Sequence, residues 1–123
     1  GSRITSVGAL HIAYDHADRA GMEPEEILAR LRPAVAEANA ALGTWDASTV
    51  GAYWYPATET WAHVIPLTLD RERDPVAGVL IRHPDGHHLV TILTRRTAFW
   101  NVVSVGQVPP AWLDNPEDQS SGS

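Results

Sequence analysis

The chain contains no cysteine and no lysine, and only one methionine and one phenylalanine among its 123 residues. Without cysteine, disulfides, thiolate metal sites and a thiol nucleophile are all excluded. That composition fits a reducing, cytoplasmic setting. The absence of lysine leaves nine arginines to carry the fixed positive charge. A GC-rich coding sequence explains this most simply; the functional alternative is selection for bidentate guanidinium contacts. No apolar run approaches the roughly 18–20 residues of a membrane span, and the N-terminus lacks the basic-then-apolar pattern of a signal peptide. There is no glycine-rich phosphate loop, no nucleophile elbow and no distinctively spaced acidic pair. No cofactor and no membrane partner are expected.

What is present is a chain long enough for one packed core, with 44% hydrophobic residues and a formal net charge of −6. The charge is uneven. Residues 76–105 carry Arg82, Arg95 and Arg96 against Asp85 alone, whereas 106–123 carry Asp114, Glu117 and Asp118 with no base. Residues 3–113 read as a single α+β domain and 114–123 as an acidic tail and linker. Gly1–Ser2 and Gln119–Ser123 read as cloning remnants.

Thr5 or Ser6 is placed to cap a helix running to about Ala20, with Gly21 as its stop. Val7, Leu10, Tyr14 and Ala17 would form its apolar stripe, and Arg3–Thr5 reads as its entry or as a short strand. A second helix starts at Pro24, buries Ile27, Leu31, Val35, Ala38 and Leu42, and stops at Gly43. Pro33 predicts a kink there, or two abutting helices. The periodicity then becomes extended, with strands expected over Val50–Tyr55, Trp61–Leu69, Val76–His83, His88–Arg95 and Ala98–Val105. Pro66 predicts an edge or bulged strand. Asp85–Gly86 predicts a tight hairpin pairing His83 with His88 and Ile81 with Val90, which leaves Arg82, Thr91 and Arg95 on one mixed face. The closing segment is expected to pack only through Trp112. The expected fold is α+β: two N-terminal helices packed on one face of a four- to five-stranded, mainly antiparallel sheet.

Three constellations can carry chemistry. The densest is the row His11, Asp15, Arg19, spaced one helical turn apart, in which a carboxylate orients an imidazole and a guanidinium holds a phosphate. The bland reading is a solvated helix face. His83, His87 and His88 surround the hairpin tip and, with His63, offer metal ligands. Solvated turn residues are the commoner explanation, and no metal is assigned. Tyr53-Trp54-Tyr55, with Trp61 and Trp100, are core residues unless two tryptophans lie exposed on one face, where they would stack bases.

His11, followed by Arg19 and then by Gly21-Met22-Glu23-Pro24-Glu25-Glu26-Ile27, resembles the opening of small RelE/BrnT-like toxins. Their first helix has the form His-Ala-x-x-Arg, then Arg-Gly-Ile and an acidic second helix. A second register uses His16-Ala17-Asp18-Arg19, and the meander ending GHHLVTILTRRTAFWN also suits that family's sheet. The resemblance implies a metal-independent ribonuclease of the barnase–RelE type, or an inactive descendant, in a bacterial or phage toxin–antitoxin pair. It implies RNA as substrate and an inhibitory protein as partner. His11 (or His16) would be the base or acid, and Arg19 and Arg95 the phosphate clamps. Thr91, on the face assigned to Arg95, would position the phosphate. The competing reading is a non-catalytic protein-binding or assembly module, which the net charge of −6 favours. Oligomeric state is left open.

Overall fold

The computed structural model describes residues 3–15, 17–42 and 49–113. Gly43, His16 and the acidic tail, each assigned a role above, lie outside the described residues, as does the side chain of Leu42. The fold is α+β. In order it contains β1 (Ile4–Val7), α1 (Ala9–Asp15), α2 (Ala17–Ala20), α3 (Pro24–Leu42), β2 (Gly51–Tyr55), β3 (Thr60–Leu67), β4 (Val76–His83), β5 (Gly86–Leu93), α4 (Arg95–Ser104) and a 3₁₀ turn at Ala111–Leu113. The five strands form one sheet in the order β1-β5-β4-β3-β2. β2 to β5 are an antiparallel meander, and β1 lies parallel to β5 at its end. No described helix is long and apolar enough to cross a membrane.

The N-terminal segment differs from the single helix expected from Thr5 or Ser6 to Ala20. Ile4–Val7 joins the sheet, and Gly8 is the corner: its N–H donates to the Leu89 carbonyl at 2.9 Å and its own carbonyl accepts from Ile12 N at 3.0 Å. Starting the helix at Ala9 resets its apolar face. Ile12 and Ala13 are buried with Ala9, Ala17 and Ala20 beside them, whereas Leu10 and Tyr14 are 69% and 56% exposed. Ala9, Ile12, Ala13, Ala17 and Ala20 follow the three- and four-residue spacing of one helical stripe. α3 is a single helix that contains Pro33, so the alternative of two abutting helices does not apply. Its buried face is Ile27, Leu31, Ala34 and Ala38, with Val35 half-buried.

The segment Ala98–Val105, expected as a strand, lies almost wholly in α4. Thr94 is extended, at φ −64° and ψ 154°, and its hydroxyl accepts from Thr97 N at 3.1 Å, a side-chain cap that starts the helix. Ala98 and Val102, one turn apart, bury the inner face of α4 against the sheet. The helices therefore cover both faces of the sheet, rather than the one face expected. Ile65, Leu67, Leu80, Leu89 and Ile92 meet α1 and α3, while Tyr53, Val64, Val79, Ile81 and Leu93 meet α4 and Leu113. Leu113 is fully buried, so Trp112 is not the sole anchor of the closing segment.

The hairpin turn lies one residue earlier than expected, so the partners nearest the tip shift by two. His83 pairs with Gly86, Arg82 with His87 and Ile81 with His88, leaving Pro84–Asp85 as the loop. β1 explains the shift. His87 N donates to the Arg3 carbonyl at 2.8 Å, and a Cβ on Gly86 would stand 2.7 Å from that same oxygen. Gly86, at φ 146°, is thus the only residue type that lets β1 approach. A bulge between Val79 and Leu80 leaves Val90 unpaired and moves Thr91 opposite Val79. Arg82 and Thr91, expected on one face, consequently end on opposite faces, and Arg95 lies on α4. Pro66 sits in β3, flanked by β4 and β2, but the β2 ladder stops at Val64, so its missing N–H breaks no pairing on that side.

Candidate nucleic-acid interface

β1 pairs with β5 only as far as Leu89, which among the described residues leaves the outer edge from Val90 to Leu93 without a strand beside it. Backbone acceptors on such an edge need partners. Arg19 of α2 supplies them: Nη1 donates to the Ile92 carbonyl at 2.9 Å and to Thr91 Oγ1 at 3.2 Å. Thr91 is buried on the α4 side of the sheet. On that side too Tyr53 is buried, and its hydroxyl is pushed up to about 12 by burial and by Tyr55. The Arg19 charge and a hydrogen bond with Asn101 act the other way. Two of the four expected site residues, Arg19 and Thr91, are therefore in direct contact.

The other two are bonded elsewhere. His11 Nδ1 lies 2.8 Å from Asp15 Oδ2 on the exposed side of α1. An ionised carboxylate only accepts, so the ring donates through Nδ1–H. Arg95 Nη2 donates to Asp74 Oδ2 at 3.0 Å, and Nη1 to the Trp112 carbonyl at 3.5 Å. The three residues act apart: His11 and Asp15 pair with each other on the exposed side of α1, while Arg19 of α2 turns to the β5 edge.

The histidines form two pairs on opposite faces. His83 and His88 stack at 5.3 Å on the α4 side, where His88 Nδ1 and Ser6 Oγ share a 2.6 Å hydrogen bond. His63 and His87 meet edge to face at 5.8 Å on the α1–α3 side. The sheet lies between His63 and the other pair, so the grouping of His63 with His83 and His88 is not formed. Among the described residues no cluster of three or more histidine or carboxylate side chains is placed to hold a metal ion.

A feature that the sequence left open is a platform at one end of the α1–α3 face. Trp54 and Trp61 are a cross-strand pair, 43% and 46% exposed, with ring centroids 6.0 Å apart in a T-shaped arrangement. Two residues along β3 on the same face is His63, and exposed Arg82 faces it from β4. Burial lowers the affinity of His63 for a proton, and the Arg82 charge lowers it further. The aromatic residues were legible as candidates; which of them share an exposed face depends on strand register. A cleft of about 550 Å³ lined by Arg30, Glu37, Leu69, Asp70, Arg71 and Glu72 holds two internal ion pairs, Arg71 with Glu37 and Arg30 with Asp70.

Compared with known protein families, curated proteins and solved structures, the chain matches none. Its functional reading rests on the residues themselves.

Proposed function

We propose that the chain is a toxin-like, metal-independent ribonuclease domain, or an inactive descendant of one, that acts on cytoplasmic RNA and is restrained by an inhibitory protein. The observation that carries this reading is the contact of Arg19 with Thr91 and the β5 edge. It ties the arginine of the motif to the sheet and uses only Nη1. Nη2 and Nε are then available for a phosphate. The His11–Asp15 pair is the arrangement in which a carboxylate holds an imidazole in one tautomer, with Nε2 as the base. In cleavage that base takes the proton of a ribose 2′-hydroxyl, the 2′-oxygen attacks phosphorus as the bond to the 5′-oxygen breaks, and the leaving 5′-oxygen takes a proton from solvent water. Arg19 offsets the charge that builds on the phosphate oxygens. Arg95 joins this work only by exchanging Asp74 for phosphate.

The test is RNA cleavage in the presence of a chelator. Wild type is expected to cut, and His11→Ala and Arg19→Ala to lose activity on the order of 100-fold or more while His11→Ala keeps its melting temperature. Cleavage unchanged in both variants overturns the assignment.

A second reading, the non-catalytic protein-binding or assembly module, is favoured by two observations. Arg19 and Arg95 both bond acceptors within the fold. The outer strands β1 and β2 have no further strand beside them among the described residues. It predicts no cleavage by wild type, and a role for Arg19 in stability alone.

A further inference from the structure

The platform of Trp54, Trp61 and Arg82 lies outside the Arg19 edge and is not used by the chemistry above. The helices bury Ile65, Leu67, Leu80 and Leu89 on this face but leave the two tryptophans and the arginine exposed. Exposed large aromatics on a sheet are costly to leave in water, and a T-shaped pair keeps ring surface open to a third ring. Arg82 is the only fixed charge on the strands β2 to β5. β2, β3, β4 and β5 contain no aspartate or glutamate, and Arg82, His63 and His87 share the platform's face. The acidic residues of the meander, Glu59, Asp70, Glu72, Asp74 and Asp85, all lie in its connecting segments.

We infer that this end of the sheet binds unpaired RNA, with bases stacking on Trp54 and Trp61 and Arg82 contacting the backbone phosphate. Stacking on an aromatic face needs no particular base, and a guanidinium beside it supplies the anion contact. A double helix keeps its base faces covered, so the platform selects single strands. The inference deepens the ribonuclease reading by naming the form of substrate, yet the platform's binding does not depend on catalysis.

The experiment is fluorescence anisotropy of a labelled single-stranded RNA dodecamer titrated with the full chain, at low and at physiological salt. Trp54→Ala and Trp61→Ala are each expected to weaken binding on the order of 10- to 100-fold. Trp54→Phe restores most of the affinity. Arg82→Ala flattens the salt dependence, and Trp100→Ala, on α4 across the sheet, changes nothing. The duplex form of the same sequence binds more weakly than the single strand. His11→Ala retains binding, so tight binding without cleavage sinks the catalytic reading and leaves this one standing. Equal binding by wild type and both tryptophan variants overturns the inference. So does absence of RNA binding together with a tryptophan-dependent shift in sedimentation, which would make the platform a protein interface.

Discussion

The open edge of β5 and the open end of the α1–α3 face are two solutions to incomplete coverage of one sheet. At the edge the unmet groups are polar: the Ile92 carbonyl and the Thr91 hydroxyl, both satisfied by Arg19. At the platform they are apolar rings, and the fold leaves them exposed. A buried acceptor without a donor costs about 1–3 kcal/mol, so a fold closes such a gap with its own side chains. An exposed ring has no such polar demand, and its apolar face is left for a ligand to cover. The comparison separates an arginine that is first of all structural from tryptophans that structure does not need.

The largest effect is expected where the two regions share a support. Gly86→Ala puts a Cβ against the Arg3 carbonyl and Thr5, both 2.7 Å away. β1 must then move off β5, and unfolding by denaturant should show a loss of roughly 2–4 kcal/mol. Arg19→Ala tests the edge. It removes both Nη1 bonds and should cost about 2 kcal/mol, with hydrogen exchange accelerated at the β5 amides. A melting temperature equal to wild type would show that the edge needs no cap.

The platform responds to acid in a smaller way. The His63 pKa lies below its ordinary 6.5 in the folded chain, through burial and then Arg82. The unfolded chain therefore binds its proton first, and the contribution to stability, complete above about pH 6.5, fades as the pH falls below that value. His63→Gln should flatten the decline in melting temperature between neutral pH and pH 5, and an unaltered slope would assign the acid response to other groups. The smallest effect belongs to Trp61→Ala: less than about 1 kcal/mol of stability, because nearly half of the side chain is already in water. A loss of several kcal/mol would make Trp61 a core residue and remove the contrast.

Much of the framework was readable from pattern. β4 matched its expected range, Val76–His83, because an unbroken apolar run ends at Arg82-His83 and a turn follows. α3 was legible from Pro24, the acidic first turn and the spacing of Ile27, Leu31 and Ala38. Ala98–Val105 misled because aromatic and β-branched residues mask the helical pair Ala98 and Val102, and the Thr94 cap settles the choice locally. Of the site, the partnership of His11 with Asp15 followed from one-turn spacing. The contact of Arg19 with Thr91 required β5 to lack a neighbour at that height, which no local signal reports.

The sequence by itself determined the order of elements, the α+β class and the residues able to do chemistry, because these depend on periodicity, caps and turn chemistry over short spans. The tertiary structure decided which faces those residues occupy. A parallel strand pressed against Gly86 and one bulged residue, Val90, set the hairpin register. Since side chains alternate along a strand, one residue of slip sends Thr91 to one side of the sheet and Arg82 to the other.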